Sequence, residues 1–302
     1  MSDAPLLDNQ PFLFDPADFP PLDNLPVEPG IPTIDSPVWT DNKAHFIMRY
    51  LRYFVFITKH GTYIDGFAGP QSESMTDCWA AKLVLESEPR WMRHFHLCDK
   101  KRSQVALLER IKATQPLTDS SGGKIPRDIN IYGGDFNRKV EEILNSGSIT
   151  EKEATFCLLD QRTFECHWST VERLARYKAL GHKIEIFYFL ANGWLERAFA
   201  AQRDFDVRAL WWGRDDWREL DKMSREERRD ALVHRFKKDL GYQSVKAWPI
   251  FERENGGAVM YYMIHATDHP EAPKLMSRAY RKTVKPLEPI EQLKLELGLE
   301  PT

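Results

Sequence analysis

The stretch VKAWPIFERENGGAVMYYMIHATDH, Val245 to His269, sets two apolar runs on either side of Asn255, Gly256 and Gly257. Asn-Gly-Gly between residues of strand type is turn chemistry, because Asn and Gly tolerate positive φ, so the stretch reads as a β-hairpin. Its position in the chain decides the fold. Upstream, strand and helix patterns alternate: TYIDG then CWAAKLVLESE, HFHLCD then KRSQVALLERIKAT, INIYGG then NRKVEEILNSG, TFCLLD then WSTVERLARYKALG, and KIEIFYFL then GWLERAFAA. Five βα units with short connections predict a parallel sheet with helices on both faces, since each parallel crossover needs a helix to return the chain. The hairpin then closes the sheet with antiparallel pairing. The expected class is α/β.

Working outward, VWTDNKAHFIMRYLRYFVFITKHG precedes the first strand and spaces Phe46, Ile47, Tyr50, Leu51 and Phe54 as one helical face, capped by Thr40 or Asp41 and stopped by Gly61. The charged run SREERRDALVHRFKKDLG, EAPKLMSRAYRKTVKP and IEQLKLELGL are further helices. Residues 1–36 hold many prolines and little periodicity; they read as an extended arm, docked by Phe12, Phe14 and Phe19. The expected organisation is therefore an arm (1–36), one α/β domain (37–285) and a helical tail (286–302).

Composition narrows the function classes. The 302 residues carry a net charge of -3, which gives no global attraction to nucleic acid or acidic membranes. There is no apolar run of about 18 residues to span a bilayer, and the acidic, proline-rich start is unlike a signal peptide. A cytoplasmic protein without membrane contact is expected. Cys78, Cys98, Cys157 and Cys166 form no CxxC pair, and Cys98 and Cys157 lie in apolar strands, as small buried side chains do. His94 and His96 share a strand face but have no third partner nearby in sequence, so no metal centre is expected. The charged helix balances its basic residues with Glu226, Glu227, Asp230 and Asp239, the pattern of a solvated face. Trp211, Trp212 and Trp217 read as packing between the sheet and the last helix.

The chemistry gathers at the carboxyl ends of the strands, where open α/β sheets bind ligands. Strand one ends at Asp65, followed by Gly66, Phe67, Ala68 and Gly69; strands two, three and four deliver Asp99, Asp135 and Asp160. Four carboxylates at one sheet edge repel each other and are costly to desolvate, so they suit a site that accepts hydrogen bonds from a ligand. Phosphate-bearing cofactors want donors and helix N-termini instead, and neither GxGxxG nor GxxxxGK[ST] is present. S-adenosyl-L-methionine offers a ribose diol, an adenine amino group, an ammonium and a sulfonium, and it fits the acidic series. Gly66 and Gly69 then let the backbone approach its methionine part, Asp65 holds the ammonium, Asp99 takes the ribose, and Asp135 accepts from the adenine with Phe136 over the ring. Lys43 and His45, on the first helix, are candidates to close over it. The competing reading makes DGFAG a plain turn and Asp99 and Asp135 helix caps.

Five βα units closed by an antiparallel hairpin match the Rossmann-like class I methyltransferase layout. YIDGFAGP, GGDFN, FCLLDQRTFECHWSTVERLARYK and MYYMIHATDHPEAPKLM together resemble the three-Cys-motif partner (TcmP) family from about Trp39 to about Arg281. That resemblance implies a bacterial, S-adenosylmethionine-binding protein of this fold, encoded beside a three-Cys-motif protein. Asp65, Gly66, Phe67 and Gly69 match its cofactor loop, and Asp160 heads its strand-four motif. Two departures stand out. Gln71 sits where methyltransferase loops often carry another glycine, and Asp160-Gln161-Arg162-Thr163-Phe164 replaces the [DN]-P-P-[YF] of base amino-methyltransferases. Asp160 and Gln161 remain candidates to orient or deprotonate an acceptor, with Arg162 and Phe164 meeting the substrate, a nucleic-acid-related one being favoured. The alternative is a methyltransferase-like module that has lost transfer and serves as partner or scaffold.

Overall fold

Side chains of β-strand type alternate between two buried faces, and the computed structural model arranges them as one seven-stranded sheet. It describes residues 42–70, 76–118, 123–190, 195–196, 205–253 and 256–298. The expected arm therefore lies outside the described residues, as do Gln71, the Thr40 and Asp41 cap candidates and most of GWLERAFAA. The chain divides into two compact units, one spanning Thr33–Lys285 and the other holding the segment from Pro286 onward. The second contains α9 (Ile290–Glu296).

The strands of the first unit are β1 (Thr62–Asp65), β2 (His94–Asp99), β3 (Asp128–Gly133), β4 (Thr155–Leu159), β5 (Glu185–Leu190), β6 (Ser244–Arg253) and β7 (Gly256–Thr267). They lie in the order β3-β2-β1-β4-β5-β7-β6. β1 to β5 pair in parallel, and β7 runs antiparallel to both β5 and β6. This is the Rossmann-like class I methyltransferase arrangement, and the terminal hairpin supplies its antiparallel strand. Gly256 and Gly257 belong to β7, with Gly256 opposite Arg253.

The helices are α1 (Lys43–Thr58), α2 (Ala80–Glu86), α3 (Arg102–Ala113), α4 (Phe136–Leu144), α5 (Trp168–Ala175), α6 (Phe205–Trp212), α7 (Arg225–Lys238) and α8 (Ala272–Lys282). On one face Phe46 and Tyr50 of α1 meet Phe187, Trp248, Phe156 and Tyr280 at 5.2–6.2 Å. On the other, Ile64, Cys157, Leu159, Ile186 and Tyr188 join a core with α4, α5, α6 and α7. Strand periodicity places one residue on each face in turn, so both layers are apolar and both are filled.

One helix end differs from expectation. α1 stops at Lys59, which takes a left-handed conformation (φ 61°), two residues before Gly61. The tryptophan-rich stretch forms α6, ended by Gly213 at φ 70°, then a 3-10 helix over Asp215–Lys222. Trp211 packs edge-on against Phe164, and Arg235 of α7 lies over Trp212 and Trp168. Trp211 and Trp212 therefore pack against the loop after β4 and α7. α7 begins with a Ser224–Glu227 capping box, and its arginines are paired: Arg225 with Glu196, Arg229 with Asp230, Arg235 with Asp239.

Candidate functional site

Parallel pairing in register brings the four carboxylates to one edge. Asp65 ends β1, Asp99 ends β2, Asp160 follows β4 directly, and Asp135 follows β3 by two residues. Strand order reverses between β1 and β4, the position where open sheets form a crevice. A cleft of about 540 Å³, counting its open mouth, lies there; Lys43, Asp65, Phe67, Gly69, Trp79 and Asp160 are among the residues that line it.

The loop from Gly66 to Gly69 is fixed amide by amide. Gly66 N donates to Leu158 O (3.0 Å), Phe67 N to Asp65 Oδ1 (3.1 Å), Ala68 N to Cys98 O (2.8 Å) and Gly69 N to Asp99 Oδ2 (3.0 Å). Trp79 Nε1 donates to Ala68 O at 2.6 Å and pins the loop from the far side. Glycine is required at 69: a Cβ there would stand 2.5 Å from Asp99 Oδ2 and 2.6 Å from both Cβ and Oε1 of Gln104. Gln104 Oε1 is buried and, among the described residues, has no hydrogen-bond partner. At Gly66 the obstacle is the Phe136 ring, 2.9 Å from a Cβ.

Asp65 is 2% exposed and accepts from Tyr63 Oη at 2.8 Å as well as from Phe67 N. Burial raises its pKa to about 7; the Tyr63 and Phe67 hydrogen bonds oppose that, and Asp160 and Asp99 add to it. Asp160 is paired with Lys43, Nζ to Oδ2 at 2.5 Å. Lys43 Nζ also stands 5.4 Å from the ring centroids of both Phe189 and Tyr261. Burial acts to lower the Lys43 pKa, but Asp160, Tyr261 and Asp65 together carry it above its ordinary value. Phe189 and Tyr261 carried no sequence signal for this site; they come from β5 and β7, which only the folded sheet brings beside β4.

The remaining sequence candidates have defined partners. Asp99 accepts from Gly69 N and, through Oδ1, from Lys101 N at 2.8 Å; it makes an Asx turn, and the α3 cap position is Lys101. Asp135 caps α4, accepting from Asn137 N at 3.0 Å. Phe136 is 2% exposed and lies beneath Gly66, 6.0 Å from the Phe67 ring, so it fills the core instead of covering an open face. Gln161 is buried; its Nε2 donates to Phe189 O at 3.1 Å and its Oε1 accepts from Cys166 N at 2.9 Å, bracing the loop after β4 against β5. Phe164 is buried against Trp211, 5.3 Å away. Arg162 is exposed, and its Nη2 donates to Pro70 O at 3.1 Å, tying the strand-four loop to the glycine loop. Gln161, Phe164 and Phe136 thus shape the site from behind, whereas Asp65, Phe67, Ala68, Gly69 and Asp160 border the cleft. Both ring nitrogens of His96 are engaged, Nδ1 with Tyr132 Oη and Nε2 with Ser148 Oγ, and burial lowers its pKa to about 4.

No protein-family model matches the chain, and no curated protein matches it by sequence. Solved structures resemble it in outline. A Legionella pneumophila protein of the DUF519 family is 9% identical, with 87% of this chain and 94% of that one covered and a TM-score of 0.44. Spermidine synthase in complex with the transition-state analogue AdoDATO is 15% identical over 87% and 72%, with a TM-score of 0.38. A candidate class I S-adenosylmethionine-dependent methyltransferase from Listeria monocytogenes is 10% identical over 87% and 72%, also with a TM-score of 0.38. The fold assignment rests on strand order and register, not on these likenesses.

Proposed function

We propose that the cleft between the ends of β1 and β4 binds S-adenosyl-L-methionine, and that the chain is a methyltransferase-like protein similar to the three-Cys-motif partner family. The observation that carries this is the polarity of the loop. All four amides from Gly66 to Gly69 are engaged within the protein, so the loop offers no donors to a phosphate, while Asp65 and Asp160 on the cleft wall, with Asp99 behind Gly69, offer acceptors. S-adenosylmethionine has donors and cationic centres and no phosphate, so the donor set fits it.

In that reading Asp65 and Asp160 face the cationic end, Asp99 takes hydroxyls beside Gly69, and Phe67 and Trp79 supply apolar walls. Asp135 takes the adenine amino group with the oxygen that does not cap α4. The cofactor supplies a methyl group already joined to its leaving group. The protein's part is therefore alignment and water exclusion. Asp160 orients the acceptor, and Arg162 stands at the mouth to meet it.

A second reading has its own support: the acceptor end is occupied from within by the Lys43–Asp160 pair, as expected of a module that serves as partner or scaffold to a three-Cys-motif protein. Transfer of labelled methyl groups from S-adenosylmethionine to RNA, DNA, protein and small-molecule fractions separates the two. Label in one fraction, lost with Asp160→Asn, supports transfer. Cofactor binding with no label in any fraction supports the scaffold.

A further inference from the structure

Lys43 is an unusual occupant of its position. It is the first residue of α1, in the turn where the helix dipole disfavours a cation, yet its side chain is 5% exposed. What holds it is a three-sided box. Asp160 Oδ2 is 2.5 Å from Nζ, and the rings of Phe189 and Tyr261 each lie 5.4 Å away. The two rings meet edge to face at 4.5 Å, interplanar angle 67°, so they form one fixed corner. A carboxylate with two aromatic faces is the chemistry that recognises an alkylammonium ion. The box also opens on the cleft, since Lys43 and Asp160 line the same cavity as Asp65 and Gly69.

We infer that Asp160, Phe189 and Tyr261 form an alkylammonium subsite, that Lys43 fills it in this state as an internal competitor, and that the acceptor is a primary or secondary alkylamine: held there as its ammonium ion, it would give a proton to Asp160, and its freed nitrogen lone pair would take the methyl as the carbon–sulfur bond breaks and S-adenosylhomocysteine leaves. This deepens the methyl-transfer reading of the cleft and rests on it. Exchange is energetically reasonable, because a buried ion pair contributes little net stability and one ammonium replaces another with the same contacts. The same box explains the strand-four sequence. Asp-Gln-Arg-Thr-Phe lacks the prolines that shape a flat base pocket, and its own aromatic, Phe164, is buried away against Trp211. The aromatic surfaces at Asp160 come instead from Phe189 and Tyr261, and their corner suits a compact cation better than a planar ring.

The test is calorimetric titration of the full chain with n-propylammonium chloride at constant ionic strength, with propan-1-ol as the neutral isostere. Lys43→Ala is expected to bind n-propylammonium saturably and at least about tenfold more tightly than the unmodified chain, because the internal competitor is gone. Propan-1-ol should not bind, and adding Asp160→Asn should weaken the amine by about tenfold or more. Should Lys43→Ala fold only with amine present, a saturable dependence of refolding yield on n-propylammonium gives the same support. Absence of saturable binding or refolding, or equal affinity with and without Asp160→Asn, overturns the inference. S-adenosylhomocysteine titrated into the same proteins reads the cofactor separately. Cofactor binding without amine binding overturns the subsite alone, and amine binding without cofactor binding overturns the methyl-transfer reading.

Discussion

Asp65 is where burial and function meet most directly. With its pKa near 7 it is partly protonated at neutral pH, although its ordinary value is 3.8. A cationic ligand favours the ionised form, so binding S-adenosylmethionine should release protons and tighten as pH rises, by up to about tenfold per unit below pH 7. Calorimetry in buffers of different ionisation enthalpy reads this release, and Asp65→Asn should abolish it. The stability sign is the opposite. A raised native pKa means the folded state holds the proton more tightly, so this group's contribution is complete below about pH 4 and is lost as pH climbs through about 7. The unmodified chain should therefore lose stability relative to Asp65→Asn across that window, measured by urea unfolding. Gly69 sets the second residue-scale expectation. Gly69→Ala places a methyl within 2.5 Å of Asp99 Oδ2 and against Gln104, so it should cost ~1–3 kcal/mol of stability and cofactor affinity together. The sequence shows Asp65 and Gly69 plainly because a strand end and a glycine are local signals. It cannot show that Phe136 and Gln161 are buried behind the site, or that Phe189 and Tyr261 stand in front of it, because these depend on which strands become neighbours.

Among the elements, the chain order of strands and helices is legible from period and punctuation, and the hairpin from Val245 to His269 is its clearest part. The misread end has a physical cause. α1 stops at Lys59 because that residue itself turns left-handed, so no glycine is needed there. Gly213 is the glycine that matters locally: at φ 70° it ends α6, and a Cβ would stand 2.6 Å from the Trp168 Cβ. Gly213→Ala should destabilise by ~1–3 kcal/mol in denaturant unfolding, through both strain and the clash. At the amino end of β5 a buried polar knot ties three elements. Glu185 accepts from Tyr50 of α1 and from His265 and Thr267 of β7, the last two at 2.9 Å. Burial pushes its carboxyl up, but His265 and the Tyr50 and Thr267 hydrogen bonds outweigh that and hold it below its ordinary value of 4.5. Its contribution is thus present above pH 4.5 and lost as pH falls through the lowered native value. Glu185→Gln should cost ~3–5 kcal/mol near neutral pH, since it breaks a buried charged network from one side.

For the whole molecule, the sheet keeps its two edges for different work. The amino edge carries the Glu185 knot and stabilises the fold; the carboxyl edge gathers Asp65, Asp99 and Asp160 around a glycine loop with no free donors. The seven-stranded order with an antiparallel β7 explains why Tyr261 can reach the end of β4 at all: only the inserted strand places β7 beside β5. Calorimetric titration of the full chain with S-adenosylhomocysteine, beside NAD⁺ and ATP, puts that division to the test. We predict one saturable site for S-adenosylhomocysteine, abolished by Gly69→Trp and weakened at least about tenfold by Asp99→Ala, with no binding of the phosphate-bearing ligands at this loop. An absence of heat with the folded protein, binding that survives Gly69→Trp, or NAD⁺ or ATP binding that Gly69→Trp removes would contradict it.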